Sequence, residues 1–213
     1  MPATTMPATT HGSTTTYGPT TTYVPDGVDP NSSCFADAVF GDPAESPYVL
    51  PYPEGGDYHI SQAYCTDGGS HANQLAYDFS IPIGEVIVAT RSGEVMEVVE
   101  VFPDDGEGAS EHNYVMIRHD DGTLAFYAHL QQFGVMVDVG DRVASSQPIA
   151  LSGNSGQTSD AHLHFGVYLT WPPQEGWDLP VNFRNADGPL DALGGLRRYR
   201  RYEALPDPGL PPG

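Results

Sequence analysis

From about Cys34 onward the chain is built of short apolar runs separated by glycine, proline or Asp-Gly. That punctuation belongs to a β-rich domain. Six runs read as strands: 85–90 (EVIVAT), 93–101 (GEVMEVVEV), 113–119 (NYVMIRH), 123–130 (TLAFYAHL), 147–153 (QPIALSG) and 162–169 (HLHFGVYL). Asp120-Asp121-Gly122, between the third and fourth, is a hairpin signal. Gly84, Gly93, Gly140 and Gly153 fit turns that need unusual backbone angles. No segment sustains a 3.6-residue apolar period, so long helices are not expected. The predicted fold class is mainly β, a single domain on an antiparallel sheet.

The pattern is different before Cys34. Residues 1–25 carry two internal repeats, MPATT-MPATT and TTTYGP-TTTYVP, with almost no charge or aliphatic side chain. Such a stretch buries too little apolar surface to offset its ordering entropy. It is expected to be a disordered stalk or linker, a composition found mostly in exported proteins. The predicted organisation is a linker over 1–33, a folded domain over 34–203 and a disordered tail over 204–213, ending PDPGLPPG.

Composition narrows the partners. With 28 carboxylates against 8 arginines and no lysine, the net charge is −20. Nucleic acid and anionic membranes are poor partners for that surface, and an anionic substrate has to be met in a locally less acidic groove. Half of the positive charge is gathered in Arg197-Arg198-Tyr199-Arg200-Arg201. This run either steers a polyanion or pairs with nearby carboxylates, each exposed pair being worth less than about 1 kcal/mol. No stretch approaches the ~20 apolar residues of a membrane span, and no charged start followed by an apolar core marks a signal peptide. Localisation is expected to be exported, from the linker composition, and the state monomeric. Cys34 and Cys65 lack CxxC spacing, so the available role is a single disulfide, worth about 3 kcal/mol for a loop of that length.

The chemistry concentrates in histidines. Successive side chains of a strand point to opposite faces, so His162 and His164 project together while Leu163 and Phe165 face a core. A second half-site, Ser70-His71 through Asp78, lies about ninety positions earlier. His71, Asp78 and His164 form a mixed imidazole and carboxylate set suited to a catalytic zinc with an open position. His129 closes the run Phe126-Tyr127-Ala128-His129-Leu130, and alternation puts it on the face opposite Phe126 and Ala128. Both His129 and His162 can reach a shared groove. HExxH and GxSxG are absent, and neither cysteine has a suitable neighbouring histidine, which excludes helical zincins and the usual serine and cysteine nucleophiles. His11, His59, His112 and His119 are taken as incidental. The loop WPPQEGW, Trp171 to Trp177, either walls the groove or caps the core.

Taken together, Ser70-His71…Ala76-Tyr77-Asp78-Phe79, Ile81-Pro82-Ile83-Gly84, Val88-Ala89-Thr90-Arg91-Ser92-Gly93-Glu94-Val95, Tyr127-Ala128-His129-Leu130, Val139-Gly140-Asp141-Arg142-Val143, Gly153-Asn154-Ser155-Gly156 and His162-Leu163-His164-Phe165 resemble the lysostaphin/LytM-type zinc metalloendopeptidases, over roughly 47–185. The resemblance implies an antiparallel sheet with an open groove and an enzyme that cuts stem peptides or cross-bridges of bacterial peptidoglycan. It implies one zinc ion on His71, Asp78 and His164, with His129 and His162 as the catalytic pair. Many members separate the first two ligands by three residues, whereas His71 and Asp78 have six between them, and Asp67 is an alternative to Asp78. Without a glutamate base, one of His129 and His162 is expected to accept a water proton and the other to stabilise the oxyanion. Two other functions stay open: a non-catalytic wall-binding or regulatory module, and an endopeptidase for glycine-rich proteins.

Overall fold

The computed structural model describes residues 34, 37–66, 68–107, 111–172 and 177–209. The expected linker 1–33, Asp67, the interior of the WPPQEGW loop and residues 210–213 lie outside them. Twelve strands follow in chain order: β1 Asp57–Gln62, β2 Ala76–Phe79, β3 Val86–Val88, β4 Gly93–Val99, β5 Tyr114–Arg118, β6 Leu124–Ala128, β7 Leu130–Val135, β8 Arg142–Val143, β9 Pro148–Ser152, β10 Leu163–Tyr168, β11 Ala186–Asp187 and β12 Arg201–Ala204. Among the described residues the longest helical piece is a 3-10 turn at Pro43–Glu45, as the missing helical period requires.

Nine strands form one sheet in the order β11-β12-β1-β2-β10-β6-β5-β4-β8, and β3-β9-β7 form a second. Every strand pairing is antiparallel. The core lies on one face of the large sheet, where alternate residues Tyr77 and Phe79 of β2, Leu163, Phe165 and Val167 of β10, and Ala125 and Tyr127 of β6 are buried together. Tyr127 ties this face to the small sheet's side, since Thr90 donates its backbone N–H to the phenol oxygen at 2.8 Å. A Phe165→Ala change here removes a fully buried ring and is worth about 3–5 kcal/mol.

All six strands expected from the sequence are present with slightly shorter bounds. The β5–β6 hairpin turns at Gly122, whose φ of 87° only a residue without Cβ adopts freely. Gly84 and Gly140 also have positive φ, but Gly93 and Gly153 do not. These two are glycine because of crowding: a Cβ on Gly153 would stand 2.4 Å from the backbone nitrogen of Gln131. Ordered contacts also run a little past residue 203. Leu205 donates its backbone N–H to Asn185 O at 2.8 Å, and Arg184 grips both carboxylate oxygens of Asp207 at 2.7 Å.

Cys34 and Cys65 form a disulfide. It fastens the entry of the domain to the start of the loop joining β1 and β2, which carries His71. Backbone bonds from Cys65 N to Gln74 O at 2.9 Å and from Gln74 N to His71 O at 3.1 Å close that loop on itself.

Candidate metal centre and active site

The other face of the large sheet carries the site. Asp78 on β2 and His164 on β10 are direct cross-strand partners, a position that holds two side chains about 5 Å apart at Cβ on the same face. The floor between them is small: Ala128 of β6 is the next partner of His164, and Gly166 leaves room for Tyr168, whose hydroxyl would stand 2.7 Å from a Cβ there. His71 reaches the pair from its loop and is almost wholly buried.

Three donor atoms converge. His71 Nε2 lies 3.1 Å from Asp78 Oδ1 and 3.1 Å from His164 Nδ1, and His164 Nδ1 lies 3.0 Å from the same carboxylate oxygen. His71 spends its Nδ1–H on Ala63 O at 3.3 Å, which leaves a bare lone pair on Nε2 facing the cluster. Several electron-pair donors at this separation need a positive charge among them, a proton or a cation. A tetrahedral zinc with bonds of about 2.0–2.1 Å sets its ligand atoms about 3.3 Å apart, so the triangle fits such an ion with little movement. Burial works against the Asp78 charge, yet the His71 and His164 rings hold its pKa well below the ordinary carboxylate value. Burial lowers the pKa of His164, which keeps a lone pair available.

Gln62 completes the support. Its side-chain amide donates to the other oxygen of Asp78 at 2.9 Å and to Ser70 Oγ at 3.0 Å, and its Oε1 accepts from Ser70 N at 3.1 Å. One side chain thus aims the carboxylate and pins the loop before His71. Outer-sphere partners of this kind orient metal ligands.

His129 and His162 stand across the groove with ring centroids 4.6 Å apart. His129 does not follow the expected alternation. It sits at φ 63°, between β6 and β7, and this left-handed residue brings its ring to the face that Phe126 and Ala128 share. Its Nδ1–H goes to Ser155 O at 2.8 Å, and the Nδ1–H of His162 goes to Asp160 O at 2.8 Å. These bonds turn Nε2 of each ring toward the groove, that of His162 being 3.8 Å from Asp78 Oδ1. Burial first, then the neighbouring His162, pushes the pKa of His129 down to about 3.

All five residues proposed from sequence line one open groove of about 530 Å³. His112, taken as incidental, lines it too, its ring 5.2 Å from that of His129. His59 is exposed, while His119 is buried and donates to Ser92 O at 2.9 Å outside this groove. Trp171 backs the groove wall, packing on Phe126 at 4.8 Å between ring centroids. A cleft of about 540 Å³ adjoins on the other side of Asp78 and His162 and is bordered by Arg198 and Tyr199.

Residues 72–175 match Peptidase family M23, a span that holds Asp78, His129, His162 and His164 and starts one residue after His71. Over that span the chain is similar to metallopeptidases of the lysostaphin/LytM type. It is 35% identical over 106 residues to the peptidoglycan DD-endopeptidase ShyB of Vibrio cholerae, covering 49% of this chain and 23% of that one. It is 32% identical over 116 residues to the glycyl-glycine endopeptidase ALE-1 of Staphylococcus capitis, covering 54% and 26%. The catalytic domain of lysostaphin from Staphylococcus simulans superposes with a TM-score of 0.42 at 26% identity, over 60% of this chain and 86% of that one. The chain spans a third or less of the length of the curated relatives it matches.

Proposed function

We propose that this chain is an exported zinc endopeptidase that hydrolyses peptide bonds in bacterial peptidoglycan. The observation that carries the proposal is the triangle of His71 Nε2, Asp78 Oδ1 and His164 Nδ1 at 3.0–3.1 Å, buried on the groove side. The Cys34–Cys65 disulfide and the Thr/Pro-rich linker support export. The relatives' named activities support the substrate.

His71, Asp78 and His164 would hold the metal. A bound zinc ion supplies Lewis-acid polarisation of a scissile carbonyl and lowers the pKa of a water to about 7. The rest falls to side chains. His129 is kept neutral by its surroundings, with its Nε2 lone pair facing the groove and its orientation fixed by Ser155 O. That atom, or Nε2 of His162, accepts the proton from the attacking water. The partner ring, once it carries a proton on Nε2, donates it to the oxygen on which negative charge collects, a contribution of about 10²–10³ in rate for one well-placed donor. Phe126, Tyr168 and Ala128 give the groove a shallow floor suited to an extended peptide.

The test is mass spectrometry of soluble fragments released from purified peptidoglycan by the zinc-loaded chain, with and without a chelator. Chelator-sensitive fragments carrying new peptide ends are expected. Absence of release from a zinc-loaded protein that cleaves glycine-rich proteins would move the substrate there, and a protein that takes up no zinc would be a binding module.

A further inference from the structure

Arg91, Arg118, Arg142, Arg184 and Arg201 are each paired with a carboxylate. Arg198 differs from them. Its Nε–H donates to Ser61 O at 2.8 Å, and its guanidinium carbon lies 4.5 Å from the Tyr199 ring centroid. Among the described residues no carboxylate pairs with it, and its Nη nitrogens have no hydrogen-bond partner. The side chain is nonetheless held. Tyr199 has φ 62°, uncommon for a bulky residue, and its backbone N–H is fixed to Ile60 O at 2.8 Å. An anchored, stacked guanidinium with open Nη edges is a receptor for a planar carboxylate, which it engages by two parallel hydrogen bonds.

Its place gives this meaning. Arg198 and Tyr199 border the cleft that adjoins the metal site and shares Gln62, Asp78 and His162 with it. In a chain of net charge −20 an arginine with no carboxylate partner beside the reacting centre gives that cleft a local positive charge able to draw an anionic group. We propose that Arg198 binds a free carboxylate of the substrate peptide close to the scissile bond, so that the preferred substrates are carboxylate-bearing stem peptides rather than neutral oligoglycine bridges. This rests on the endopeptidase reading above and names the substrate class of the same groove. Asp160 borders the same cleft. Its exposed carboxylate is therefore the group tested as a competitor for Arg198.

The experiment compares synthetic cross-linked stem peptides whose free carboxylates are either intact or converted to carboxamides. Hydrolysis is followed with the zinc-loaded full chain, and binding by calorimetry with its His129→Ala variant. Wild type is expected to favour the carboxylate form at least tenfold. Arg198→Gln should raise KM and Kd for that form by the same factor and leave the amidated form unchanged, while Arg198→Lys, a point charge without the fork, should fall between. Thermal melts of both variants establish that they fold, and Asp160→Asn should not weaken the carboxylate preference. Equal treatment of the two peptides by wild type, or an equal loss for both in Arg198→Gln, would overturn the inference. If neither peptide is cut but calorimetry retains the preference, the endopeptidase reading falls and the carboxylate subsite stands.

Discussion

The two halves of the groove are built in opposite ways. The Asp78–His164 pair sits on an uninterrupted ladder, directly opposed across β2 and β10. His129 and His162 sit where the ladder stops: one at a left-handed residue between β6 and β7, the other immediately before β10. Regular register fixes ligand atoms to within a few tenths of an ångström at no conformational cost, as a metal requires. A break in register lets a ring leave the strand's alternation and face the reacting centre, at a backbone cost of about 1–3 kcal/mol for a non-glycine residue at positive φ. Two of the three holding residues are thus on uninterrupted ladder, with His71 brought in by a loop that the Cys34–Cys65 disulfide and its own backbone bonds close, while the reacting pair is on interrupted backbone.

The sharpest way to break this division is to exchange the effects of its two halves. Asp78→Ala removes an anionic ligand and leaves His71 and His164 facing each other. Zinc content should fall from one per chain to near zero, and activity by at least about 10³-fold, as measured by elemental analysis and peptide release. His129→Ala should lower kcat by about 10²–10⁴-fold while zinc stays bound. Loss of the metal in that variant would move His129 among the ligands and dissolve the distinction.

Smaller effects sharpen it. Gln62→Leu keeps all three ligands but frees the Asp78 carboxylate and the loop before His71. Zinc affinity should weaken by about 10–100-fold in a competitive chelator titration, with the His129 side untouched. The smallest effect concerns acid. His129 has its pKa pushed down to about 3 by burial and His162, against about 6.5 in an unfolded chain. Between these values the unfolded state binds the extra proton, so the metal-free protein should lose stability as pH falls from about 6.5, with a slope of at most about 1.4 kcal/mol per pH unit from this group. Asp78, held well below its ordinary value, keeps its contribution until pH drops below about 3.9. Urea unfolding at several pH values should give a shallower slope between pH 6.5 and 4.5 in His129→Asn.

The same contrast explains what could be read from the residues alone. Strands with alternating or continuous apolar character, such as 93–101 and 162–169, were legible, and with them the antiparallel fold and the paired projection of His162 and His164. β2 was not recognisable as a strand, because four buried residues in a row show no period. β1, with the pattern DYHISQ, and β7, with LQQFGV, carry too few apolar side chains. The face of His129 was misjudged because alternation presumes an unbroken strand, and nothing local announces the left-handed turn. Gln62 had no signal at all. It acts through its partner across β1 and β2, Asp78, and that pairing exists only once the sheet is assembled. His112 is likewise brought to the groove by a loop whose course no pattern encodes.

The central claim is that one zinc ion sits in the His71, Asp78 and His164 triangle, and X-ray absorption at the zinc edge on the loaded full chain tests it most directly. The account predicts two imidazole nitrogens and carboxylate or water oxygen at about 2.0–2.1 Å, and the loss of one imidazole in His71→Ala but not in His129→Ala. An unchanged spectrum in His71→Ala, or an imidazole lost in His129→Ala, would contradict it.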